Sequence, residues 1–209
     1  MLATNSAFAG GGGSPSDNGI RETAYIAEAY MEAERVGEPR NPKLAQAAGY
    51  LIDDFRRIFI TGGYKIHQPF FDGLAAEALI EYYELVRDPR VPPAIKLMLD
   101  GDWAAYDPKS HQLVYNPDPP GPTCSEGCRK YFPDLTNLID PAYAWYWRYS
   151  GDDLYRQRGD EMFGNAMLTD ISYSGKIFSQ NYRWSFDYVR WRSGIPQNGL
   201  RDVHGLRDR

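Results

Sequence analysis

The amino-acid sequence predicts an all-α protein built from stacked helical hairpins. Three observations support this fold class. Apolar residues recur at helical spacing in seven segments, capping residues or Gly and Pro bound these segments, and parts of the chain resemble one another. Only His111–Tyr115 has the character of a short strand, so no strand pair is expected.

The start and stop signals of the helices can be followed along the chain. Asp17 or Asn18 can cap the first helix, which Gly37 closes. Asn41 can cap the second helix, which ends at Gly62 because glycine readily adopts the left-handed conformation that follows a helix. The seven predicted helices cover residues 20–37, 42–62, 69–86, 92–106, 140–151, 152–170 and 175–192.

Two segments of different composition flank the helical domain. Residues 1–18 are Gly-rich and predict a loop or linker, whereas residues 194–209 predict a C-terminal tail. The domain itself covers residues 19–193. Six prolines between residues 107 and 136 predict one long irregular loop between the fourth and fifth helices.

Charge and composition argue against several classes of function. The net charge of -5 argues against nucleic acid as the main partner. No apolar run approaches the roughly 20 residues that span a bilayer, so no membrane span is expected. Aromatic residues make up 14% of the chain, and rings with an apolar face and a polar edge suit sugars and protein interfaces. The N-terminus lacks the regions of a functional signal peptide, and Met1 need not be the natural start.

The two cysteines, Cys124 and Cys128, lie four residues apart in the Pro-rich loop. Two thiols cannot complete a zinc site. A disulfide between them is favoured over free thiols and suits an extracellular or periplasmic protein. The sequence contains no Gly-rich phosphate loop, metal-binding His cluster or nucleophile elbow, so neither a cofactor nor a metal is predicted.

An internal similarity supports the pairing of helices. Residues 27–44 resemble residues 76–95, and residues 142–158 form a weaker third copy. Such spacing is typical of helical hairpins that stack side by side. The first helix of each pair is rich in Ala, Tyr and Trp and is expected to lie centrally. The second helix carries more charge and is expected to lie outside.

The hairpins "FFDGLAAEALIEYYELVRDPRV" and "LIDPAYAWYWRYSGDDLYRQRGDEMF" resemble those of the (α/α) toroid proteins, the six-hairpin glycosidase-like group of carbohydrate-active proteins. That group includes glycoside hydrolases, polysaccharide lyases and sugar epimerases. The resemblance covers residues 19–193 and is one of helical texture, without a catalytic signature. A complete ring needs more helices than the seven predicted here, so the resemblance implies a partial toroid.

The resemblance also implies a site, because the loops before the inner helices of such toroids line the mouth of the central cavity. Carboxylates, amides and aromatic rings there suit a polyhydroxylated ligand, and glycosidases use two facing carboxylates. The implied catalytic residues are His67, Asp72, Asp140 and Tyr182. The implied substrate-binding residues are Gln68, Trp145, Lys176, Gln180, Asn181 and Trp184.

Structural roles remain open beside each of these assignments. An Asp in a first helical turn, such as Asp72 or Asp140, is commonly a cap or a partner of the helix dipole. A single loop histidine such as His67 is often structural. Asp187 lies among three arginines, which favours an ion pair over catalysis.

The predicted function is that of a glycoside hydrolase- or polysaccharide lyase-like domain, or a fragment of one, that acts on or binds a glycan. The positive potential of helix N-termini favours an acidic sugar such as a uronate. The alternative is a non-catalytic structural or interaction subunit that uses its aromatic helices as an interface, as an oligomer or with the remainder of a larger polypeptide. The sequence leaves open whether the domain is catalytic.

Overall fold

The computed structural model describes residues 18–62, 68–114, 133–169 and 175–194, and these ranges are mostly helical. This confirms the all-α class. The α-helices in these ranges are α1 Asn18–Arg35, α2 Lys43–Arg56, α3 Pro69–Val86, α4 Val91–Ala104, α5 Pro133–Thr136, α6 Asp140–Ser150, α7 Asp153–Thr169 and α8 Gly175–Ser193. A π-helical segment, Arg57–Thr61, continues α2, and two short strands, β1 Tyr106–Asp107 and β2 Gln112–Leu113, follow α4.

All seven predicted helices are present, and their ends agree with the local signals. Gly37 and Gly62 follow α1 and the π-helical segment with φ of 102° and 63°, as expected of glycines that end helices. Asn41 caps α2, because its side-chain oxygen accepts a hydrogen bond of 2.9 Å from the backbone N–H of Lys43. The cap assigned to Asp17 or Asn18 stays a prediction, because Asp17 and the side chain of Asn18 lie outside the described part of the chain.

The expectation of no strand pair was wrong. β1 and β2 pair antiparallel, with Tyr106 opposite Leu113 and Asp107 opposite Gln112. The chain reverses between them at His111, which takes a φ of 56° without being a glycine. Tyr106 therefore belongs to a strand, and α4 ends at Ala104 rather than at the predicted residue 106. The short helix α5 also interrupts the loop that was predicted to be irregular over residues 107–136.

The long helices pack as hairpins. The pairs α1/α2, α3/α4 and α6/α7 are in contact, as the internal similarity predicts. The first helices also contact one another in the order α1, α3, α6 and α8, while α2 packs against α4. The structure therefore has a row of first helices and a second set of helices packed against it.

Helices α3 and α6 form the centre of this arrangement. Every residue from Asp140 to Tyr146 is buried, because α6 packs against α3, α4, α7 and α8. Residues Phe71–Ala76 of α3 are buried as well. A helix that is buried on all sides needs small and aromatic residues around its circumference, as the sequences of α3 and α6 provide.

Two glycines allow neighbouring chain to approach these central helices closely. A Cβ atom at Gly73 of α3 would lie 2.6 Å from the backbone oxygen of Leu138. A Cβ atom at Gly159 of α7 would lie 2.8 Å from the Cβ atom of Tyr143 in α6. Tyr143 has little freedom to move, because it is fully buried and its hydroxyl donates a 2.8 Å hydrogen bond to the Leu99 oxygen.

The flanking segments lie almost wholly outside the described residues, so the domain limits at residues 18 and 194 stay predictions. Cys124 and Cys128 also lie outside them, and their disulfide stays a prediction. Among the helices of the described ranges, none combines the length and the apolar character that crossing a membrane requires.

We predict opposite effects of alanine at two glycines of α7. Gly159→Ala should lower the free energy of unfolding by about 1 to 3 kcal/mol, because the new methyl group overpacks the contact with Tyr143. Gly164→Ala is the matched control, since a Cβ atom there meets nothing within 4 Å, and it should raise stability by roughly 0.5 to 1 kcal/mol. Urea unfolding of both variants measures the difference, and equal effects would contradict this packing.

Candidate functional site

Two of the predicted catalytic residues, Asp72 and Asp140, are enclosed by protein. Both side chains have no exposed surface. Burial raises the pKa of Asp140 well above its ordinary range, because an enclosed carboxylate loses its hydration. Neither carboxyl oxygen of Asp140 accepts a hydrogen bond from a described residue. Asp140 therefore does not cap α6 by bonding to a backbone N–H group in the described part of the chain. The catalytic roles of Asp72 and Asp140 stay predictions.

Of the other residues predicted at the cavity mouth, the structure describes Tyr182 and Gln68. Tyr182 of α8 is 58% exposed, and its ring packs against Phe186 with 4.8 Å between centroids. Gln68 is partly buried at the start of α3, where its backbone oxygen accepts a 2.9 Å hydrogen bond from the N–H of Phe71. His67 and the side chains of Lys176, Gln180 and Asn181 lie outside the described residues.

The two tryptophans that were predicted to bind substrate, Trp145 and Trp184, lie on different helices and have different partners. Trp145 is 2% exposed, stacks on Tyr149 at 5.5 Å and donates a 3.2 Å hydrogen bond to Glu84. Trp184 of α8 is almost as buried and donates a 2.9 Å hydrogen bond to Glu77 of α3. Trp184 lines the pocket described next, and Trp145 is not part of that lining.

This pocket lies between α3, α6 and α8. Its lining contains Gly73, Glu77, Ile80 and Glu81 of α3, the segment Leu138, Pro141 and Ala142 around the start of α6, and Trp184, Asp187, Arg190 and Trp191 of α8. It therefore combines carboxyl groups of α3 and α8 with one guanidinium group and two indole rings of α8, and the start of α6 adds an apolar wall. We refer to it below as the α3–α6–α8 pocket.

Glu77 is the most enclosed carboxyl of the α3–α6–α8 pocket. One oxygen forms an ion pair with Arg183, and the other accepts the hydrogen bond of the Trp184 N–H. Burial raises the pKa of Glu77 to about 7, although Arg183 and the Trp184 hydrogen bond lower it. A carboxyl of this kind is both proton donor and proton acceptor near neutral pH.

Three further carboxyl groups lie near Glu77, namely those of Glu28, Glu81 and Asp187. We call these four residues the carboxyl cluster. Burial, together with the nearby Glu77, raises the pKa of Glu28 to about 8. Burial also raises the pKa of Asp187 above its ordinary range, although Arg190 and Arg183 oppose this. The expected ion pair of Asp187 is confirmed, with 3.0 Å between it and Arg190.

Sequence reasoning missed Glu28, Glu77, Glu81 and Arg190 as site residues. A signal was present for Glu77, which stands in the apolar run "LAAEALI", where a charge must be paired or neutralised if the helix is buried. Glu28 has a similar setting in "AYIAEAYM". Neither run indicates which partner neutralises the carboxyl, because Arg183 comes from a distant helix.

Perturbed carboxyl groups in a pocket are typical of functional sites. In the described ranges, no three His, Cys, Asp or Glu side chains lie close enough together to hold a metal ion. Comparison with protein families, curated proteins and solved structures finds no match for this chain. The case for a function therefore depends on the chemistry of the α3–α6–α8 pocket and of the carboxyl cluster.

We predict that Glu28 makes stability depend on pH between about 4.5 and 8. In this window the folded protein keeps the Glu28 proton while the unfolded chain releases it, so the stability of the wild type falls as pH rises. Gln at this position carries no charge at any pH. Glu28→Gln should therefore stabilise the protein by about 1 to 3 kcal/mol more at pH 9 than at pH 5.

Chemical unfolding at the two pH values measures this difference. Glu38→Gln is the matched control, because Glu38 lies just after the end of α1 and is exposed. Its effect should be small and equal at both pH values. A Glu28→Gln effect that does not change with pH would show that Glu28 is already ionised in the folded protein.

Proposed function

We propose that this chain is a carbohydrate-active domain that binds a glycan at the α3–α6–α8 pocket. The observation that carries the proposal is the setting of Glu77, a largely enclosed carboxyl with a pKa raised to about 7, beside an indole ring and a guanidinium group. Sugars are recognised by such combinations, because polar groups bind the hydroxyls while aromatic rings cover the apolar face of the sugar.

The second indole of the pocket supports this proposal. Trp191 is partly buried at the pocket, and the Arg190 guanidinium lies 5.0 Å from the centre of its ring. Its rotation is thereby restricted, which lowers the entropic cost of using the ring as a platform. The pocket thus offers an indole surface next to groups that can exchange hydrogen bonds with hydroxyls.

The arrangement of helices supports the partial toroid as part of the same proposal. The contacts in the order α1, α3, α6 and α8 correspond to neighbouring inner helices, and α2, α4 and α7 correspond to outer ones. The α3–α6–α8 pocket then lies on the inner row. In this arrangement the glycan would contact the inner helices, which are the ones rich in Ala, Tyr and Trp.

A catalytic version of the proposal gives Glu77 the role of general acid. In hydrolysis it would transfer its proton to the oxygen of the glycosidic bond that breaks, and an ionised carboxylate would accept a proton from the attacking water. Asp187 and Glu81 are the candidates for that second role, because both line the same pocket. Binding alone requires neither transfer.

We predict that Trp191→Ala lowers glycan affinity about tenfold, which corresponds to the loss of about 1.4 kcal/mol of ring contact. The test is calorimetric titration with cello-, xylo-, manno- and galacturono-oligosaccharides. Trp147→Ala is the matched control, because Trp147 is also a partly buried indole beneath an arginine, with Arg192 at 4.7 Å, but lies outside the pocket. Its affinity should stay within about twofold of the wild type.

Two further results bear on the same proposal. Glu77→Gln should weaken binding while keeping the shape of the side chain, and in the catalytic version it should abolish turnover of the bound glycan. Failure of all these oligosaccharides to bind at millimolar concentration would contradict the proposal. Equal loss of binding in the two tryptophan variants would contradict the location of the site.

The alternative function, an interaction subunit, is favoured by a different surface. Tyr182, Phe186 and Val189 of α8 are 58%, 60% and 49% exposed and follow one another on one side of the helix. In this alternative we propose a second copy of the chain as the partner, since a two-fold contact would cover the stripe on both copies at once.

In this alternative, light scattering should show dimers at high micromolar concentration, and Phe186→Glu should dissociate them. Leu154→Glu is the control, since Leu154 is also exposed but belongs to α7. A wild-type protein that stays monomeric throughout the concentration range would contradict self-association through α8.

A further inference from the structure

The charged groups that line the α3–α6–α8 pocket are paired, either with one another or with arginines next to the pocket. Glu77 pairs with Arg183, Glu81 with Arg35 at 3.0 Å, and Asp187 with Arg190 at 3.0 Å. Each of the three carboxyls that line the pocket thus has one guanidinium partner. The fourth carboxyl of the cluster, Glu28, adds negative potential beside them when it is ionised.

The helix N-terminus at this pocket is also engaged. Pro141 lines the pocket at the start of α6 and has no backbone N–H to offer. The N–H of the next residue, Ala142, already donates a 3.0 Å hydrogen bond to the oxygen of Ile139. The positive end of α6 therefore presents little to an anion here, which differs from the expectation that helix N-termini favour an acidic sugar.

Groups that suit uncharged hydroxyls are present in the same place. Nε of Arg190 is buried and has no hydrogen-bond acceptor among the described residues, so it can donate to a ligand oxygen. The carboxylate of Asp187 can accept from a hydroxyl, and the Glu77 carboxyl can do either. A neutral sugar can form hydrogen bonds with these groups without adding a further negative charge beside the carboxyl cluster.

We propose that the α3–α6–α8 pocket takes a neutral glycan and discriminates against acidic sugars, with Glu81 and Asp187 as the groups that repel a carboxylate. This inference rests on the proposed function and names its substrate class. A uronate would lose its hydration next to these carboxyls, and the charge of each nearby arginine is already offset by a carboxylate, with Nε of Arg190 left to donate one hydrogen bond. Discrimination by repulsion needs no contact with the acidic group.

The test compares two forms of one oligosaccharide that differ in charge alone. The best neutral binder of the panel is compared with its own C6-oxidised form, in which primary hydroxyls have become carboxylates. If the best binder is an acidic oligosaccharide, it is compared with its methyl ester. The uncharged form should bind at least about tenfold more tightly at pH 7 and low salt, and added salt should reduce the difference.

Two variants identify the source of the discrimination. Glu81→Gln removes one repelling charge from the pocket and should reduce the affinity ratio of the two forms about threefold or more. Glu32→Gln is the matched control, because Glu32 pairs with the same Arg35 but does not line the pocket, and it should leave the ratio unchanged.

The outcomes separate this inference from the proposed function. Equal or tighter binding of the charged form would overturn the neutral class while leaving glycan binding intact. An unchanged ratio in Glu81→Gln would overturn the role of that carboxyl. Binding of no oligosaccharide at all would overturn the proposed function, and this inference with it.

Discussion

The enclosure of α6 is the constraint on which the rest of the structure depends. The first two turns of α6, with α3, α4, α7 and α8 around them, must be mostly apolar on all sides and must let their neighbours approach closely. Tyr143 fills the interior and Gly159 leaves room for it. Because α3 and α8 both pack on α6, its position also sets the gap between them, and that gap is the α3–α6–α8 pocket.

Glu77 of the candidate site also helps to hold α8 in place, together with an ion pair outside the site. Glu77 links α3 to Arg183 and Trp184 of α8, and Asp160 of α7 binds Arg192 at 2.6 and 2.9 Å from the other side. Of these groups Glu77 is the most enclosed, and an enclosed carboxyl destabilises a structure when its partner is removed. A substitution of Glu77 therefore changes both the candidate site and the stability of the fold. Trp191 forms no such link with the described residues, so its substitution tests binding more independently of stability.

Local signals were sufficient for the helices because their causes are local. Apolar spacing, the Asn41 cap and the glycines at helix ends act within a few residues of the element that they define. The strand pair was missed because its reversal depends on His111 in a left-handed conformation, for which its side chain carries only a weak signal. The candidate site was predicted less well, since Trp184 alone of its lining had been chosen.

The sequence by itself determined the helical class, the hairpin pairing and the aromatic character of the central helices. Only the tertiary structure decided that the carboxyls of Glu28 and Glu77 are enclosed and that the indole ring of Trp184 lies beside Glu77. Glu77 and Arg183 are 106 residues apart in the chain, and helical periodicity carries no information about contacts at that separation. A carboxyl changes its pKa in response to burial and to neighbouring charges, and both exist only after α3, α6 and α8 have packed together.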